Sequence, residues 1–154
     1  MSNSSANEVN QKGEPLDENS GYLKDLPQNE ENLFQLDDFK LFDVDEAISL
    51  NASKDSLYTV LKMMIDESLL NSDVEKMKAA YEKGDWESVQ KLAHKIKGGA
   101  VYIGATRMKM ACQYLERYWK VGKRTLLEKL YQQTLLVIDE TLKAISIWLT
   151  KEAR

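Results

Sequence analysis

"LAHKIKGGAVYIGA", residues 92–105, sets the chain's single histidine, His94, just ahead of two adjacent glycines, Gly98 and Gly99. At about 100° per residue, the stretch from Asp85 to Ile103 puts Val89, Leu92, Ile96, Gly99, Ala100 and Ile103 on one stripe. That stripe is the expected core face of an amphipathic helix, and His94 lies nearly opposite it. The phase therefore predicts an imidazole shown to solvent from mid-helix. Glycine costs about 1 kcal/mol against alanine inside a helix. Gly98, one turn beyond His94, is read as bare backbone that lets another molecule reach the ring. Gly99, nearer the core stripe, is read as a point of close helix–helix approach.

Working outward, the same periodicity continues on both sides. Asp43 or Asp45 can cap a short helix through Leu50, and Ser53 caps a second one carrying Leu57, Val60, Leu61, Met64 and Ile65. Ser72 with Glu75 forms a capping-box pattern for a third, carrying Val74, Met77, Ala80 and Tyr81 and stopping at Gly84. Asp85 opens the His94 helix, Ala105 or Thr106 opens the next, which closes at Gly122, and a last helix is expected from about Thr125 to Trp148. No strand alternation competes. The expected fold is all-α: an up-and-down antiparallel four-helix bundle with short additional N-terminal helices.

Residues 1–32 are rich in Asn, Ser, Glu, Gly and Pro and poor in aliphatics, so they are read as a disordered acidic tail preceding a bundle over 33–154. Residues 33–42, "LFQLDDFKLF", hold too many apolar groups to leave in water and are expected to cap the bundle. The first 38 residues carry a formal −7, which leaves +3 for the rest of a chain whose total is −4. Lys and Glu alternate in that remainder without a long basic run, so no nucleic-acid partner is expected. One cysteine, Cys112, excludes an internal disulfide, and one His with one Cys excludes a Cys/His zinc site. Cys112 is in phase with Met108 and Leu115 and is read as a small core residue. With no membrane-length apolar run and no basic or apolar leader pattern, the expectation is a cytoplasmic protein without membrane partners.

On the His94 face the periodicity also places Gln90, Lys91, Lys97, Gly98 and Val101. Lys97, at i+3, is within reach of anything attached to the ring, and a cation there suits phosphate. Lys91 and Lys95 are ordinary solvated lysines on the bland reading and attractors of an acidic partner on the sharper one. If the helices on either side of Gly104 turn back on each other, residues whose numbers sum to about 210 share a height. His94 then levels with Glu116 and Lys97 with Gln113.

His94, Lys97, Gly98 and Gly104 spell H-x-x-K-G-x-x-x-x-x-G, which resembles the histidine-containing phosphotransfer (HPt) domain. "FDVDEAI", "YEKGDWESVQKLAHKIKG" and "CQYLE" extend the likeness over roughly residues 38–150; Val101 and Tyr102 depart from the small or polar residues often found there. The resemblance implies phosphorylation of His94 on Nε2, with Lys97 steadying the phosphoryl group. It implies Glu116, with Gln113 in reserve, as the group that orients the ring through Nδ1. It implies a partner surface of Gln90, Lys91, Lys95, Gly98 and Val101. The partner would be the receiver domain of a response regulator or hybrid histidine kinase, bringing its own Mg²⁺, so no cofactor is expected on this chain. The function implied is that of a monomeric phosphoryl carrier in a multistep relay, without kinase activity of its own, since no phosphate-binding glycine loop is present. Two other readings stand beside it: an unphosphorylated module that titrates a receiver or kinase, and a scaffold whose tail and "LFQLDDFKLF" do the binding.

Overall fold

The computed structural model describes residues 25–66 and 69–153. The described residues form a short 3₁₀ turn, Glu30–Phe34, and six helices: α1 Val44–Leu50, α2 Lys54–Asp66, α3 Leu69–Glu82, α4 Trp86–Tyr102, α5 Thr106–Lys120 and α6 Leu127–Glu152. There is no strand among them. Helices α3 to α6 pack in chain order through joints of three to six residues, the antiparallel up-and-down arrangement. The ring closes between α3 and α6, where Tyr81 stacks on Tyr131 at 4.0 Å between ring centroids. Helix α2 lies against α6, with Tyr58 and Phe42 around Trp148.

Helix starts follow side-chain chemistry. Asp43 caps α1 by accepting from the Glu46 N–H, Ser53 accepts from the Ser56 N–H, and Asp85 accepts from the Ser88 N–H. Ser72 does not cap α3. The helix already runs from Leu69, because Leu70 belongs to the buried stripe continued by Val74 and Met77. Helix α6 extends a turn beyond the expected Trp148, holding Leu149 in the core and pairing Glu152 with Lys54 at 2.8 Å.

Packed chain also begins earlier than residue 33. Leu26 lies against the core, Asn29 caps the 3₁₀ turn, and Leu33 is fully buried, its carbonyl accepting from Gln133 Nε2. The part of the expected tail over residues 1–24 lies outside the described residues.

The turn between α4 and α5, the two helices that carry His94 and Glu116, is clasped by the segment before and through α1. The Asp43 N–H donates to the Gly104 carbonyl at 2.8 Å, and the Arg107 N–H to the Lys40 carbonyl at 2.9 Å. Arg107 also reaches the Phe39 and Asp37 carbonyls, and Asn51 Nδ2 donates to the Tyr102 carbonyl at 3.0 Å. Gly104 has φ +68°, and a Cβ built there would stand 2.5 Å from the Asp43 carbonyl oxygen. Glycine is what lets the two segments meet.

Candidate functional site

Helices α4 and α5 lie side by side, and the site is built from both. Val89, Ala93, Ile96 and Ala100 hold α4 in the core, which turns His94 outward with 61% of its side chain exposed. Across the groove Glu116 of α5 is completely buried, and its Oε2 stands 2.9 Å from His94 Nδ1. At that distance the carboxylate favours a neutral ring with its proton on Nδ1, and the lone pair is then left on Nε2, toward solvent.

Three permanent cations share this carboxylate. Lys97 Nζ lies 3.3 Å and Arg117 Nε 3.8 Å from Oε1, while Lys120 Nζ lies 3.0 Å from Oε2. Burial works against ionising Glu116, but its bonds to Lys120 and His94 and the charges of Lys97 and Arg117 outweigh it. The carboxyl is held below its ordinary value, and the group stays an anion.

The remaining expected residues divide. Gly98 and Gly99 are both exposed, and a Cβ on either would meet nothing within 4 Å. Gly99 therefore makes no close helix contact; one turn of true phase carries the core stripe through Ala93 and Ala100 instead. Gln90, expected on the exposed face, is 3% exposed, and its Nε2 donates to the Glu87 carbonyl. It sits beside Val89 and Ala93 at the core edge and offers little surface to a partner. Lys91 and Lys95 are exposed, paired with Glu87 at 3.4 Å and Asp73 at 3.0 Å. Val101 is 47% exposed, and Tyr102 beside it borders a shallow recess shared with Asn51, Thr59 and Val60. Gln113 does not reach His94; its Nε2 donates to the Asp25 carbonyl at 3.1 Å.

Lys120 and Arg117 escaped the sequence reading. The Glu116–Lys120 pair at i,i+4 was a signal available for the first. The second is joined to Asp25, whose carboxylate lies 3.3 Å from Arg117 Nε, and no local pattern announces so distant a contact.

Cys112 is fully buried, and burial pushes its thiol up to about 12, so it is a packing residue. Among the described residues no three His, Cys, Asp or Glu side chains gather where a metal ion could be held. No described helix is long and apolar enough to cross a membrane.

No curated protein and no solved structure matches the chain. The family model of the Hpt domain does, over residues 59–148, which takes in most of α2 and all of α3 to α5 and stops near the end of α6. The chain belongs to the Hpt domain family, phosphoryl carriers of two-component signalling that work with receiver domains.

Proposed function

We propose that the chain accepts a phosphoryl group on Nε2 of His94 from a receiver-domain aspartate and returns it to another, as the carrier of a multistep relay. The observation that carries this reading is the pairing of an exposed imidazole with a buried carboxylate through Nδ1. With the ring proton on Nδ1, the Nε2 lone pair attacks phosphorus. The P–Nε2 bond forms as the bond to the aspartyl oxygen breaks, and the aspartate leaves as its carboxylate. No proton moves. The positive charge gained by the ring is met by Glu116, the positioning residue. Lys97, one turn along and resting on Glu116 Oε1, supplies charge to the phosphoryl oxygens. Mg²⁺ and the acid groups of the phosphorylation site belong to the receiver.

Gly98 and Gly99 leave α4 low beside the ring, so a convex partner can bring its aspartate close. Val101 and Tyr102 supply apolar contact, and Lys91 and Lys95 a charged rim. A carrier must release each partner, which favours a small interface.

The test is to incubate the full chain with phosphorylated receiver domains and with phosphoramidate as a small donor. The expected result is acid-labile, alkali-stable label on the wild type and none on His94→Gln. Absence of label on the wild type from every donor refutes the reading.

A further inference from the structure

The N-terminal strap Asp25–Phe34 lies outside the span matched by the family model, yet it touches the site. Asp25 holds two residues of α5 at once. Its carbonyl accepts from Gln113 Nε2 at 3.1 Å, and its carboxylate pairs with Arg117 Nε at 3.3 Å. The strap is anchored further along by Glu30 on Lys123, at 3.7 Å, and by the buried Leu33. Arg117 is 18% exposed, so its pairing is only partly screened. Its Nε lies within reach of two carboxylates, Asp25 at 3.3 Å and Glu116 at 3.8 Å.

We propose that Asp25 is a positioning residue for phosphoryl transfer, acting on His94 through Arg117 and Glu116. The argument is one of competition. Glu116 has one unit of negative charge to divide among Lys97, Arg117, Lys120 and the Nδ1–H of His94. Asp25 draws off part of the Arg117 charge. With Asp25 neutralised, less of the Arg117 charge is drawn away from Glu116, and the carboxylate becomes a weaker acceptor for Nδ1–H. The ring proton then spends more time on Nε2, where it blocks the nucleophilic lone pair. The other charges near the ring, Lys91 and Lys95 on α4 with their partners Glu87 and Asp73, are untouched by that change.

The rate consequence rests on His94 as the acceptor, but the tautomer consequence does not, so the two fail separately. Because His94 is the chain's only histidine, long-range ¹H–¹⁵N spectra report its two ring nitrogens without assignment. Spectra are taken above the titration range of imidazole on full-length wild type, Asp25→Asn, Asp25→Glu and Arg117→Gln. Asp25→Asn is expected to move both nitrogen shifts toward the Nε2–H form and to slow labelling by phosphoramidate about two- to fivefold, the scale of one partly exposed ion pair. Asp25→Glu restores both. Arg117→Gln moves the shifts the opposite way and makes a second change at Asp25 silent. Unchanged ring shifts in a folded Asp25→Asn protein overturn the proposal. Should that variant fail to fold, unchanged shifts in Arg117→Gln overturn it instead. An effect of Asp25→Asn that persists undiminished in the Arg117→Gln background also overturns it, because the strap would then act by packing alone. A wild type that takes no label from any donor sinks the His94 reading and leaves the spectra to decide on Asp25.

Discussion

Gly98 offers the sharpest separation of stability from function. It lies in the interior of α4, exposed, and a methyl group added there meets no atom within 4 Å. Gly98→Ala therefore has no steric cost and removes the backbone freedom of glycine in the unfolded chain. The expected gain is about 0.8–1 kcal/mol, the helix-propensity difference. For a chain of this size that raises Tm by about 2–4 °C. Urea unfolding followed by circular dichroism measures it. Gly98→Phe carries the same argument to the chemistry. A large side chain one turn from His94 obstructs a receiver domain but leaves room for phosphoramidate. Transfer from a receiver that labels the wild type should fall about tenfold or more, equivalent to about 1.4 kcal/mol of lost transition-state stabilisation. Labelling by phosphoramidate should stay within about twofold of wild type. The reasoning fails if Gly98→Ala destabilises the fold, since the added methyl group would then meet a neighbour. It fails equally if Gly98→Phe slows both donors alike, or neither.

Three further outcomes follow from other positions. Gly104→Ala should cost about 3–5 kcal/mol in urea unfolding: about 1–2 for a left-handed alanine, the rest from overpacking against the Asp43 carbonyl and a weakened clasp. Gly84→Ala, at φ +71° with no neighbour near its Cβ, should show the first part alone; equal losses would refute the clash. Glu116 is held below its ordinary 4.5 in the folded chain, so its contribution to stability is present above that value and is lost as pH falls through the lower folded value. Glu116→Gln should be less stable by about 1.5–3 kcal/mol at neutral pH, with a gap to wild type that closes below the ordinary value; a gap independent of pH would refute the role of the charge. With its thiol pushed up to about 12 and no exposed surface, Cys112 should resist iodoacetamide in the native chain and react at once in denaturant. Ready alkylation of the native chain would refute that burial.

The helical architecture was legible because the apolar residues repeat at helical spacing and Asp43, Ser53 and Asp85 announce their helix starts. His94 was legible for the same reason: phase alone turned it outward. Its level with Glu116 followed from counting back across the turn at Gly104. Phase was less dependable one or two residues from the stripe's edge, where Gln90 and Gly99 changed places between core and surface. A hundred degrees per residue fixes direction, but the width of the groove between α3, α4 and α5 decides which edge residues are covered. The strap was illegible for a different reason. Asp25 is joined to Gln113 and Arg117 by contacts some ninety residues apart in sequence, and composition alone read its neighbourhood as too polar to order.

The clasp around the α4–α5 turn has a kinetic corollary. Asp43, Arg107 and Asn51 fix the relative tilt of the two helices that carry His94 and Glu116, so the placing of imidazole beside carboxylate exists before any encounter. With the two helices already set, no rearrangement of the clasped turn has to accompany docking, and that share of the ordering cost is spared. Rigid docking of this kind leaves the association rate to orientation and charge rather than to a conformational step in this chain.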